Sequence, residues 1–280
     1  MSLGVGERQT GASWAWVKFY LRGPKLPEGW ETQSPYMVIR KDKAELHIPV
    51  QKEIGKVRKV KEQIADEETV ICGIDLNLGD REAVCTILKS DGTEITRKFI
   101  KGGDFLQHRR KRLLGKIAVS RSKYGNVPDN LRDNVRRWNK IRNVEENEAH
   151  RISRRIADFA KQNGATIIVF ECLDKLVPDK GKYSKKSNTK RSYWLKGRIY
   201  RYTKYKAWED GIITTRVNPK YTSQTCSKCG KKVFRHQFGE EEKAEYIIGA
   251  PLFTCESGHR SNSDLNAARN IAKRLLQKAS

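Results

Sequence analysis

The spacing of apolar residues divides the chain into stretches of β-like and helix-like period. Within residues 14–50, "WAWVKFYLRG" and "YMVIRKDKAELHIPVQ" carry aromatic and β-branched residues and predict strands, with a turn at "RKDKA". Pro24, Pro27 and Gly29 break the segment between them. The charged stretch "KEIGKVRKVKEQIADEE" separates this small β unit, 1–65 with its linker, from the rest. Next come "TVICGIDLNL" and "REAVCTILKSDGTEITRKFI", which predict an antiparallel meander with a turn at Asp91-Gly92. From about 103 to 163 the period becomes helical. Phe105, Leu106, Arg109 and Leu113 begin one helix, and Val135, Trp138, Ile141, Ile152, Ile156 and Phe159 mark a second that Gly164 ends.

"ATIIVFECL" then predicts a short buried strand of parallel type. The basic segment "DKLVPDKGKYSKKSNTKRS" predicts a mobile loop, and "YWLKGRIYRYTKYKAWEDG" an aromatic, basic helix. "IITTRVN" predicts a strand, and the chain closes on a helix in "SDLNAARNIAKRLLQKA", with Leu265, Ala268, Ala272 and Leu275 on one face. The order describes an α/β layered domain with a mixed sheet. Its 280 residues suffice for one large domain or two modest ones.

Charge changes the picture more than length does. Lys and Arg number 57 against 33 Asp and Glu, a net charge of +24, which predicts a polyanionic partner, nucleic acid before membrane. No stretch approaches the ~20 apolar residues of a spanning helix. The start lacks the basic-then-apolar layout of a signal peptide, so the expectation is an intracellular chain with no membrane partner.

Two acids interrupt apolar strands: Asp75 in "VICGIDLNL" and Glu171 in "IIVFECL". A third, Asp264, opens the last helix. Singly, each reads equally well as a strand-end residue, the partner of an arginine, or for Asp264 a helix N-cap. Together they suggest converging carboxylates, which repel unless cations neutralise them. Hard oxygen ligands suit Mg²⁺, and two such ions about 3.5–4 Å apart activate water for phosphodiester hydrolysis. "GIDL" with a downstream glycine also resembles the first phosphate loop of actin-like ATPases, but the second Asp-Gly-Gly loop is missing.

Cys72, Cys85 and Cys172 lie singly in apolar runs as buried thiols. Cys226 and Cys229 form a knuckle, followed by Cys255 and His259 in "FTCESGH". One structural Zn²⁺ with His259 as fourth ligand fits this spacing, and His236 is the alternative.

In this order, "GIDLNLGDREAVCTI", "IIVFECLDKL" and "YTSQTCSKCG…FTCESGHRSNSDLNAARNIAKRL" resemble the TnpB (OrfB) proteins of insertion sequences and the related type V CRISPR effectors over about 70–280. The resemblance implies a RuvC-like nuclease of ribonuclease H fold, α/β with a mixed sheet. The core is expected at 66–220, with a helical insertion at 103–163 and a zinc ribbon at 221–261. The last segment, 262–280, closes the core, and 14–50 resembles the last strands of a wedge domain. It implies RNA-guided DNA cleavage in a prokaryotic cell, on the nucleoid, with DNA and guide RNA as partners. It places Asp75, Glu171 and Asp264 on the acids that hold two Mg²⁺, and Cys226, Cys229 and Cys255 on zinc. Candidate backbone-holding cations are Arg109, Arg110, Lys111, Arg112, Arg136 and Arg137, with Lys185, Lys186, Lys190 and Arg191 in the basic loop. Tyr200, Tyr202, Tyr205 and Trp208 are candidates for base stacking or for helix packing. The family usually has a fourth ribbon cysteine and a longer, helical N-terminal part, so an N-terminally short member is expected. A nucleic-acid-binding repressor or accessory protein without cleavage, and a guide-independent structure-specific nuclease, are the other readings open at this point.

Overall fold

The computed structural model describes residues 25–40, 43–77, 81–125, 132–239, 247 and 249–277. The expected strand at "WAWVKFYLRG" lies outside them. The chain divides into two compact units, Met1–Glu53 and Ile54–Ser280. In the first, β1 (Trp30–Thr32) pairs with β4 (Val50–Lys52) and β2 (Tyr36–Arg40) with β3 (Lys43–His47), both antiparallel. Tyr36 stacks on His47 across the second pair, with ring centroids 5.2 Å apart.

The second unit begins with a short helix, α1 (Val60–Ile64), inside the charged stretch read as a linker. Glu62 accepts a hydrogen bond from the Lys59 backbone at 3.1 Å and so closes the helix start. The meander follows as β5 (Val70–Leu76), β6 (Arg81–Lys89) and β7 (Glu94–Lys101). Asp91 turns β6 into β7: its carboxylate accepts from Thr93 N at 2.8 Å, and Gly92 takes φ +85°.

Helices α2 (Gly103–Tyr124) and α3 (Arg132–Gln162) come next, then β8 (Ile167–Glu171), α4 (Lys185–Ser192), α5 (Lys196–Trp208) and β9 (Ile213–Val217). Gly164 ends α3 with φ +68°, and Ala165 N bonds back to Ala160 O. The basic segment expected as a loop contains α4. Ser184 caps it, and Asn188 bonds back to Asp179 and Tyr183, so polar side chains supply the order that apolar periodicity would have revealed. The chain ends in a small sheet, β10 (Val233–His236), β11 (Leu252–Cys255) and β12 (Arg260–Asn262), and in α6 (Ser263–Leu276).

The main sheet has the order β7-β6-β5-β8-β9. β5, β6 and β7 are antiparallel neighbours, whereas β5–β8 and β8–β9 are parallel. This is the ribonuclease H-like mixed sheet that the resemblance implies. Alternation along β5 sorts its two faces. Cys72, Ile74 and Leu76 join Ile152, Ile156, Phe159 and Ile199 of α3 and α5 in one core layer. On the opposite face, Ile71 packs with Ile271, Ala272 and Leu275 of α6.

Gly73 lies between Ile71 and Asp75 on the α6 face. A Cβ there would sit 2.4 Å from Ala268 O and 2.8 Å from Ala272 Cβ, so helix and strand meet at backbone distance. Ala268 is one turn from Asp264, just as Gly73 is two residues from Asp75. Helix and strand therefore deliver the two acids to the same end of the sheet.

A charged network ties α3 to β6. Arg151 Nη2 donates to Glu82 at 2.7 Å and Arg151 Nε to Glu148 at 2.8 Å. Burial, then repulsion from Glu148, pushes the Glu82 carboxyl up to about 8 despite Arg151.

Two outcomes are expected. Gly73→Ala forces α6 off the sheet and lowers stability by about 1–3 kcal/mol, measured by urea unfolding. Glu82 is protonated in both folded and unfolded chains below about 4.5. Above about 8 it is ionised in both, and the folded state bears the cost of burial. Stability therefore declines across that window, and Glu82→Gln makes the decline shallower in urea midpoints recorded against pH.

Candidate functional site

Asp75 is the penultimate residue of β5, and Glu171 is the last residue of β8. The parallel register pairs Ile74 with Phe170, so the acids are the next residues along neighbouring strands. Asp264 lies in the first turn of α6. Asn262 rather than Asp264 caps that helix, its side chain accepting from Asp264 N and Leu265 N. The Asp264 carboxylate is thus released from capping. All three acids line one open cleft of 1570 Å³.

The electrostatics of this cleft are adverse for an isolated chain. Burial raises the Asp75 carboxyl well above the usual carboxylate range, and the charges of Glu171 and then Asp264 raise it further. Asn77 Nδ2, donating at 3.1 Å, and Arg235 offset this in part. Burial also raises Glu171, against a hydrogen bond from Thr222 and the charge of Arg274. Arg235 Nη2 lies 3.4 Å from Asp264 Oδ1 and donates to Ala250 O at 2.7 Å. Like-charged oxygens facing one cleft form a donor set suited to hard divalent cations. The three do not form a single tight cage, as they would around one ion. Asp75, Glu171 and Asp264 are the residues that would hold divalent cations here, and such cations would neutralise their mutual repulsion.

The knuckle residues do form a cage. One ligand atom each from Cys226, Cys229, Cys255 and His259 lies within 4.8 Å of the others. Cys229 Sγ is 3.7 Å from Cys255 Sγ, and His259 Nδ1 is 3.7 Å from Cys226 Sγ and 3.5 Å from Cys255 Sγ. A tetrahedron with metal–sulfur bonds of about 2.3 Å has edges of roughly 3.8 Å, so the spacing fits a bound metal. Among the described residues this is the one such group of Cys, His, Asp and Glu. His236, the alternative ligand, is buried elsewhere in the ribbon, with Nδ1 3.0 Å from Gln237 O and Nε2 3.1 Å from Thr254 Oγ1.

The candidate cations scatter. Among the eight candidates whose side chains are described, Arg191 alone lines the acid cleft, its guanidinium 3.9 Å from the Tyr183 ring centroid. Arg110 pairs with Glu145 at 2.8 Å, with both side chains about nine-tenths buried, and stacks over Tyr193. Arg109, Lys111 and Arg112 lie on α2, and Arg136 and Arg137 on α3, away from the cleft lining. Lys185 is exposed at the start of α4, and the side chains of Lys186 and Lys190 lie outside the described residues.

The cleft instead carries Lys175, Arg216 and Arg235, which sequence reasoning missed. Arg216 had a signal, being the one cation in "ITTRV" of β9, where it stacks over Tyr200 at 4.8 Å. Arg235 stood beside His236 and was passed over for it. Of the aromatics, Tyr200 lines the cleft, Tyr202 is buried in a stack on His150, and Tyr205 and Trp208 are partly exposed.

The family model for the Cas12f1-like TNB domain matches residues 197–271, the ribbon and its flanking helices. A TnpB-like protein of Aquifex aeolicus is 30% identical over 223 residues, covering 76% of this chain and 70% of that protein. The chain belongs to the TnpB-like family. The CRISPR-associated endodeoxyribonuclease Cas12f1 of Sulfoacidibacillus thermotolerans is 37% identical over 134 residues, which are 48% of this chain but 28% of that enzyme. The cryo-EM structure of a Cas12f1–sgRNA–target DNA complex superposes with a TM-score of 0.55 at 22% identity, covering 87% of this chain and 55% of that one. It shares the fold, and this chain spans about half its length. Among the described residues no helix is long and apolar enough to cross a membrane.

Elemental analysis of purified protein is expected to find about one zinc ion per chain. Cys226→Ser and His259→Ala should lower that content, and His236→Ala should leave it. Full zinc content in His259→Ala would remove that histidine from the ligand set.

Proposed function

We propose that this chain is a metal-dependent DNA endonuclease with a RuvC-like core, directed to its target by a guide RNA inside a prokaryotic cell. The observation that carries the reading is the convergence of Asp75, Glu171 and Asp264, from two parallel strands and a helix, on one cleft of a TnpB-like chain. Relatives named as CRISPR-associated endodeoxyribonucleases, and the complex with sgRNA and target DNA, support the choice of substrate and partner. So does the net charge of +24. In this reading 66–220 and 262–280 form the nuclease core, with 103–163 as the helical insertion. Residues 221–261 form a zinc ribbon, and 1–65 is a wedge-like unit.

Each part of the cleft has its task. Asp75, Glu171 and Asp264 would hold two Mg²⁺. Those ions, when bound, supply an activated water and stabilise the leaving oxygen of the phosphodiester. Asn77 orients the Asp75 carboxylate through its 3.1 Å hydrogen bond. Arg235 lies beside Asp264, where its remaining N–H groups can meet a phosphate oxygen. Lys175, Arg191 and Arg216 line the same cleft and hold backbone phosphates without reading bases. Sequence choice falls to pairing with the guide, as in other RNA-guided systems. Cys226, Cys229, Cys255 and His259 hold one Zn²⁺ that orders the ribbon rather than reacting.

The test is purification from the native host, sequencing of the bound RNA, and plasmid cleavage with that RNA. Cleavage should require Mg²⁺ and stop with chelator. Asp75→Ala should reduce it by at least about 10³-fold, since the acids act as one unit. Cutting that survives chelation would end the two-metal reading. Metal-independent retention of nucleic acid without cutting would leave a binding protein, and cutting without RNA a guide-independent nuclease.

A further inference from the structure

The motif "DLNAARN" of α6 contains two asparagines that hold no cation in the reading above. Asn266 is fully buried. Its Nδ2 donates to Thr225 O at 2.8 Å, and its Oδ1 accepts from Ser227 N at 2.8 Å. One turn on, Asn270 Nδ2 donates to Thr222 O at 2.8 Å and to Thr225 O at 2.7 Å. Lys273 Nζ donates to Ser227 O at 2.7 Å. Residues 266, 270 and 273 follow the i, i+4, i+7 spacing of one helix face, while Ala268 and Ala272 of another face press on Gly73. Helix α6 therefore grips the knuckle with one side and the strand of Asp75 with another.

The gripped segment reaches the acids by its other end. The Thr222 hydroxyl, in a residue 2% exposed, donates to Glu171 Oε1. Tyr221, just before it, has φ +64°, the one non-glycine residue with positive φ among those described. That conformation is disfavoured for a residue with a side chain and persists where surrounding contacts demand it. Here it turns Thr222 inward while Tyr221 stays exposed. The segment from Thr222 to Ser227 is thus bonded to Glu171 at one end, contains the ligand Cys226 near the other, and is bound along its length to the helix that carries Asp264.

We propose that Thr222, Asn266 and Asn270 are positioning residues that form a strap between the cysteine knuckle and the acid cluster, so that the order of the knuckle sets the spacing of Glu171 and Asp264. The proposal rests on the reading of the three acids as a divalent-cation site. Outer hydrogen bonds to ligating carboxylates act in this way generally, through orientation rather than contact with the ion. At 266 one side chain both donates to a carbonyl and accepts from an N–H, and at 270 it donates to two carbonyls; Ala and an ionised Asp have no hydrogen to donate at either place.

The experiment measures Mn²⁺ binding to the full chain by electron paramagnetic resonance, without nucleic acid, alongside zinc content. Asp75→Ala identifies the Mn²⁺ that belongs to the acids. Thr222→Val should weaken that binding about 10-fold or more with zinc retained, and Thr222→Ser should restore it. Asn270→Ala should weaken it similarly. Stripping the knuckle's zinc should weaken Mn²⁺ binding in the unmodified chain but add little in Asn270→Ala, since both break the same strap. Unchanged Mn²⁺ affinity in Thr222→Val, or fully additive effects of zinc loss and Asn270→Ala, overturns the strap while leaving the acid site standing. Mn²⁺ binding indifferent to Asp75→Ala overturns the acid site itself, and the strap with it.

Discussion

A helix can lie against a strand at backbone distance only where the strand has no side chain, and here that place is Gly73. A Cβ there would stand 2.4 Å from Ala268 O. The small residues Ala268 and Ala272 complete the contact from the helix side. Everything at the acid end of the sheet depends on this approach. With α6 held further out, Asp264 would withdraw from Asp75, because the two are linked through one helical turn and two strand residues. Burial of Ile71, Ile271 and Leu275 on the same face supplies the apolar attraction that keeps the contact closed.

That closeness sets packing against electrostatics. Packing brings a third carboxylate to two already adjacent at the ends of β5 and β8, and Asp75 bears the consequence in its raised proton affinity. Only one arginine, Arg235, is hydrogen-bonded into the cluster among the interactions described, and it approaches from the ribbon rather than from the sheet. The core could have relieved the repulsion by replacing one acid with an apolar residue. All three are instead kept in a wide cleft, where divalent cations could offset their charge. That is the physical sense in which the cluster is suited to cations, and the basic lining around it suits the phosphates that would accompany them.

Asp75 and Glu171 were legible in the sequence because each is a charge within a run of β-branched and aliphatic residues, a conflict that burial alone does not explain. The sheet was legible for a related reason: hydrophobic period and turn residues such as Asp91-Gly92 are local signals. Asp264 was legible by itself as a helix opener, and as a third converging acid only in the company of the other two and of the family resemblance. Its freedom from capping depends on Asn262, and choosing between two adjacent cap formers requires backbone geometry. Helix α4 escaped because its stability lies in Ser184 and Asn188 side-chain bonds, which leave no apolar period. The placement of the cations was not legible in the sequence. Arg110 and Arg191 are equivalent by composition, yet one is locked against Glu145 and the other faces the cleft. Only tertiary placement separates them.

The ribbon joins these strands of argument. Its sheet of three short strands buries only a small cluster, Cys226, Val233, Phe253 and Cys255, two of them in the cysteine–histidine cage. So small a core supplies little stability by itself, and units of this size commonly draw on a bound metal. Yet the same ribbon delivers Arg235 to Asp264 and, through the segment that follows β9, Thr222 to Glu171. Two of the three acids therefore receive a hydrogen bond from this module. Asp75 takes its hydrogen bond from Asn77, just past the end of β5. The division implies that the sheet fixes where the cleft is, and the ribbon fixes how its carboxylates are aimed.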